Sequence, residues 1–150
     1  MEKFKAVKTA ILTGIGIAGS AIANMLGGWD TALQTILIFM AVDYITGIIV
    51  AGVFKKSKKT ETGGLESRVG WKGLCRKGMT LLIILVAAQL DRVAGTNVIR
   101  NAVIIGYIAN EALSIIENAG LMGLPVPKFL QNAIDVLKKK AEGEDNGNQD

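Results

Sequence analysis

The chain has 150 residues, is 50% hydrophobic and 20% charged, and has a mean hydropathy of +0.38 with a net charge of +4. There is no His and only one Cys, Cys75, which excludes an intrachain disulfide, a zinc cluster and the usual imidazole base. The apolar residues come in blocks flanked by Lys and Arg. That pattern points to membrane orientation and lipid-headgroup contact rather than nucleic-acid binding, and no aromatic-interleaved basic surface is present.

Met1 to Lys8 is short and basic, and the uncharged stretch 9–29 follows. At ~1.5 Å per residue this stretch reaches ~30 Å, the thickness of a bilayer's hydrocarbon. It is rich in small residues rather than Leu. Gly14 and Ala18 lie four apart, as do Gly16 and Ser20. Each pair shares a helix face, and small residues at that spacing let helix backbones approach closely. The basic start and Ala21-Ile22-Ala23 also resemble a secretory leader with a cleavage site. The glycine-interrupted core, and a second apolar run of equal length, argue for a retained span instead.

Gly27-Gly28-Trp29-Asp30 reads as a turn, with Trp29 suited to a membrane–water boundary. The second predicted span is 31–54. Its centre holds Asp43, aligned by i, i+4 spacing with Gly47 and Ala51. A carboxylate is costly in hydrocarbon, so Asp43 must face protein or water. Two readings are open: a carboxylate hydrogen-bonded between packed helices, or one lining a wet lumen.

The basic connector is 55–77. Within it, 65–74 is expected to be either a short helix in the headgroup layer or a mobile loop. The third span is predicted over 78–95 and the fourth over 98–116, the latter carrying Asn110 and Glu111. Gly120, Gly123, Pro125 and Pro127 break the helix. Apolar residues at helical spacing from Phe129 to Leu137 then predict an amphipathic helix over 128–140, lying on the membrane surface or against a partner. The polar tail 141–150 is expected to be disordered. All but two of the 17 Lys and Arg residues, Arg92 and Arg100, fall on one side if both termini are cytoplasmic, and that asymmetry sets the expected orientation. The fold expected is therefore all-α: a small polytopic membrane domain, 1–140, of three to four transmembrane helices plus a C-terminal amphipathic helix.

Several motifs recur in a recognisable order. They are Asp43-Tyr44-Ile45-Thr46-Gly47; Gly70-Trp71-Lys72-Gly73-Leu74-Cys75-Arg76-Lys77; Leu90-Asp91; and the run from Ala109, Asn110 and Glu111 through Ser114, Glu117 and Asn118 to Gly123-Leu124-Pro125-Val126-Pro127. Together they resemble the bacteriophage holin family that also includes clostridial toxin-secretion holins, over about 43–137. The first span and the last ten residues match no motif of that family.

The resemblance implies a protein of the bacterial cytoplasmic membrane that forms a homo-oligomer and opens lesions. A cell-wall hydrolase (endolysin), or an exported toxin, would leave through these lesions without binding the protein directly. It implies no cofactor, no metal and no enzymatic activity. Asp43, Gly47, Asn110 and Glu111 are the expected intramembrane polar or oligomer contacts. Glu117 and Asn118 are expected to cap the last span where water solvates them. The other class of reading is a non-lytic accessory subunit, or an antiholin that restrains such a system.

Overall fold

A computed structural model describes residues 1–143. It is helical throughout: α1 Glu2–Met25, α2 Thr31–Ile49 continued by a π-helical turn Val50–Phe54, α3 Ser67–Ala94, α4 Val98–Leu121 and α5 Lys128–Glu142. The four stretches Glu2–Met25, Thr31–Phe54, Ser67–Ala94 and Val98–Leu121 are each long and apolar enough to cross a membrane, at 24, 24, 28 and 24 residues. The chain is thus a multi-pass membrane protein with four candidate spans and a C-terminal helix.

Side-chain caps and tight turns set the helix ends. The Asp30 carboxylate accepts the Leu33 backbone N–H at 2.9 Å and starts α2. Asp91 does the equivalent for α4 from a distance. It accepts the backbone N–H of Ile99 at 3.1 Å and of Arg100 at 2.8 Å, together with the Thr96 hydroxyl. These are donors that a helix start leaves without an intrahelical partner.

The core lies between α2, α3 and α4. Leu33, Ile36, Met40, Ile84, Ile104 and Ile108 form its buried centre, joined by Ala23 and Leu26 from the end of α1. Ala23 is the one buried residue of α1. The part of that helix before Ala23 stands clear of the bundle, and Cβ atoms built on Gly14 and Gly16 would meet nothing within 4 Å. The expected close approach at Gly14, Gly16, Ala18 and Ser20 therefore has no partner among the described residues. Those residues are exposed.

Three boundaries differ from the sequence-based expectation. First, α1 runs from Glu2 to Met25 rather than over 9–29. Second, α3 begins at Ser67, so 67–77 is continuous helix and the irregular connector shortens to 55–66. The physical reason is Tyr44. Its ring lies against the α3 backbone, with the hydroxyl 3.5 Å from a Cβ built on Gly70 and the ring edge 4.0 Å from one built on Gly73. The ring packs at ordinary van der Waals distance from these positions, and that packing offsets the cost of about 1 kcal/mol for each glycine within a helix. Third, α4 runs on to Leu121, and α5 folds back along it, where the expectation was the membrane surface or a partner. Ala109, Ala112 and Ile134 form a second buried cluster, flanked by Phe39, Ile116 and Leu137. Of the predicted disordered tail, Ala141 and Glu142 belong to α5, and 144–150 lie outside the described residues.

Candidate functional site

Asp43, Lys77 and Glu111 come from three different helices and meet at one point. The Lys77 Nζ donates to Asp43 Oδ2 at 2.8 Å and to Glu111 Oε2 at 2.5 Å. The three side chains are 14%, 9% and 11% exposed. Asp43 is placed by α2 roughly 20 Å along the axis from Asp30, at ~1.5 Å per residue. Lys77 reaches the cluster from the first half of α3, and Glu111 from the middle of α4.

Asn118 completes the cluster. Its Nδ2 donates to the Thr46 hydroxyl at 2.9 Å and to Asp43 Oδ1 at 3.2 Å. Thr46 in turn donates to the Asp43 backbone carbonyl at 3.1 Å. Gly47 sits beneath this network, where a built Cβ would lie 3.9 Å from Asn118 Nδ2. Among the described residues no buried side-chain polar atom lacks a partner. The cluster carries one positive and two negative charges. Burial makes each charge dependent on the others, since an ion stripped of its partner in such a place has no water to replace it.

A cavity of about 690 Å³ opens beside the cluster toward the 55–66 connector. Asp43, Glu111, Ser114, Glu117 and Asn118 line it, together with Lys58, Lys59, Lys72 and Arg76 and the acidic Glu66. Tyr44, Gly73 and Asn110 also border it. The excess negative charge of the cluster therefore shares its cavity with four basic side chains besides Lys77.

Asp91 lies at the opposite end of the bundle, where a second polar network is centred on Arg100. The buried guanidinium holds Asp30 in a two-point ion pair, at 2.6 and 3.2 Å, and also donates to the Leu26 carbonyl. This Arg100 contact, more than any other, holds the Asp30 carboxyl below the usual carboxylate range. Gly27 is required here: at φ 94°, a Cβ on it would run into the Arg100 side chain. Arg92 and Gln89 donate to the carbonyls of Asn24 and Met25 and so fasten the end of α1. Gly123, Pro125 and Pro127 lie in the α4–α5 connection, away from both networks.

The structure thus gathers Asp43, Gly47, Lys77, Glu111 and Asn118 into one site and arranges Tyr44, Gly73, Asn110, Ser114 and Glu117 around its cavity. Asn118 departs from the expectation of a solvated cap: it is 7% exposed, whereas Glu117 is exposed. The i, i+3, i+7 spacing of Glu111, Ser114 and Asn118 puts all three on one face of α4, and that spacing is readable in the sequence. Lys77 as the counter-ion of Asp43, and the Arg100–Asp30 pair, were not anticipated. The available signal was a basic residue near the end of each apolar block.

Residues 20–139 match the sequence profile of the bacteriophage holin family. The chain is 36% identical to an uncharacterized protein of Clostridium perfringens, over 87% of this chain and 92% of the relative. It is 35% identical to an uncharacterized protein of Listeria innocua, over 90% and 93%. It is also 35% identical to a probable holin of Bacillus phage phi105, over 71% and 73%. No solved structure matches it. With four candidate spans, a helical core and a family match covering most of its length, the chain belongs to the bacteriophage holin family.

Proposed function

We propose that this protein is a holin. It accumulates in the bacterial cytoplasmic membrane with its N-terminus and basic connector inside, assembles with copies of itself, and opens lesions through which a cell-wall hydrolase, or a toxin, leaves the cytoplasm. The observation that carries the reading is the family match over residues 20–139, which spans α2 to α5 and the whole Asp43–Lys77–Glu111 site. The site is consistent with it: charged groups at span depth are tolerated where helices associate or water enters. The orientation is supported by the Lys and Arg residues collected on the connector and the N-terminus.

The test is expression of this chain alone, followed with a voltage-sensitive dye and with release of a co-expressed cytoplasmic protein. Loss of potential with protein release is expected. Loss of potential without protein release would reduce the lesions to small channels and remove the enzyme-release role.

One observation favours a second reading, a non-lytic accessory subunit or antiholin. Asp43 and Glu111 already find their counter-ion within a single chain, so the bundle needs no second copy to satisfy them. That reading predicts membrane insertion with neither depolarisation nor release.

A further inference from the structure

The placement of α5 is at odds with a lipid surrounding. The helix runs antiparallel to α4, with Ile134 packed against Ala109 and Ala112. Its last turn reaches Gly106, where a built Cβ would lie 3.5 Å from the Ala141 Cβ. Gly106 is only about 9 Å along α4 from Arg100, at ~1.5 Å rise per residue. Docked α5 therefore extends deep alongside a candidate span.

Its surface has three sides. One packs on α4 through Ile134, Leu137 and Ala141. A second is open and largely apolar, with Phe129 84% and Val136 64% exposed and one cation, Lys140, at its end in the last turn. The third is wholly polar: Gln131, Asn132, Asp135, Lys138, Lys139 and Glu142 fall within one sector of the helix and are all exposed. Lipid accommodates the second side and not the third, because charges in hydrocarbon must find water or partners. Copies of one chain in a membrane share one orientation, so a ring of them can bring these edges together at one depth. Each edge carries both signs of charge.

We propose that α5 stays docked on α4 in the assembled membrane form and that its polar edge lines the water of the lesion, facing the same edge of neighbouring copies. This rests on the lesion-forming reading above. Gly106→Cys and Ala141→Cys, in a Cys75→Ser chain, place two thiols within the Cβ separation of a disulfide. The full-length protein is reconstituted into vesicles of phosphatidylethanolamine and phosphatidylglycerol loaded with a fluorescent dextran. Efficient crosslinking and undiminished dextran release by the oxidised chain are expected. Failure of the disulfide to form in the vesicles would overturn the proposal, as would release that appears only after reduction, because α5 would then have to leave α4. A second pair of variants reads the lining directly. A bulky charged thiol reagent should reduce release through Gln131→Cys and leave Val136→Cys unaffected. Equal effects on both, or none on either, would contradict a lumen-facing edge. If the Cys75→Ser parent itself releases nothing, the lesion-forming reading fails; a releasing parent with a silent locked chain sinks the α5 proposal alone.

Discussion

Lys77 is the residue on which the central site depends, because among the described residues it is the one cation in direct ion pairs with both carboxylates. Lys77→Met leaves Asp43 and Glu111 buried, alike in charge and unpaired, and breaking a buried pair in this way costs roughly 3–5 kcal/mol. Asp43→Asn is milder. It leaves a balanced Lys77–Glu111 pair, and the carboxamide oxygen still accepts from Asn118. Asp43→Leu removes that acceptor as well and falls between the two. Thermal unfolding of the purified protein in detergent should rank them in that order, and lysis timing at matched protein levels should shift in step. A Lys77→Met chain that melts with the parent would mean water already neutralises the carboxylates. At the opposite end, Asp30 gives a pH dependence with a definite sign. Its folded-state pKa is depressed by Arg100, so its contribution is complete above the ordinary carboxylate range near ~3.9 and is lost as the pH falls through the lower folded value. The melting temperature should thus decline at acid pH, and Asp30→Asn should flatten that decline. An unaltered acid slope in Asp30→Asn would assign it to other carboxylates.

Among the elements, α2, α3 and α4 depend on one another, and α1 scarcely depends on any of them. Gly47 shows how tight the α2–α4 contact is. A methyl there meets Asn118 at an ordinary van der Waals distance, so Gly47→Ala should be tolerated. Gly47→Leu should displace Asn118 and lower the melting temperature, which circular dichroism in detergent would read. Equal stability for both would mean the two helices can separate without cost. The helix count, the Asp30 and Gly27 turn and the α4–α5 break were readable because apolar run length and turn chemistry are local properties. The first turns of α3 were readable only in part: a helix over 65–74 was one of two open readings, and its continuity with the third span was not visible. Gly70 and Gly73 look like loop residues until the Tyr44 ring is placed against them, and nothing near residue 70 in sequence reports where Tyr44 lies. Lys77 was unreadable for the same reason: its two partners lie 34 residues away in either direction. The amphipathic pattern of α5 was plain in the sequence, while the α4 surface it packs on was not, because Ala109 and Ala112 look like ordinary residues of a span.

At the scale of the whole molecule, the two polar networks divide the protein into two ends with different tasks. The Arg100–Asp30–Asp91 network ties the start of α4 to the turn after α1, and the smaller cavity of about 370 Å³ beside it is lined by the same residues. The Lys77 network lies at the other end, under a basic connector and beside the larger cavity. If the connector is cytoplasmic, as its Lys and Arg content predicts, the larger cavity opens inward and the Arg100 clamp lies at the outer face. In a Cys75→Ser chain, Lys58→Cys should then react with a membrane-impermeant maleimide from the cytoplasmic side of inverted vesicles, and Asn97→Cys should react from outside intact cells before lesions open. Both positions are exposed and take no part in the side-chain networks, so neither variant disturbs the bundle. The reverse pattern would invert the protein and place the cavity and its basic side chains outside. Labelling of both positions from one side would break the odd number of crossings between them, requiring α3 to enter and leave by the same face. Its continuous 28-residue helix does not permit that without a break.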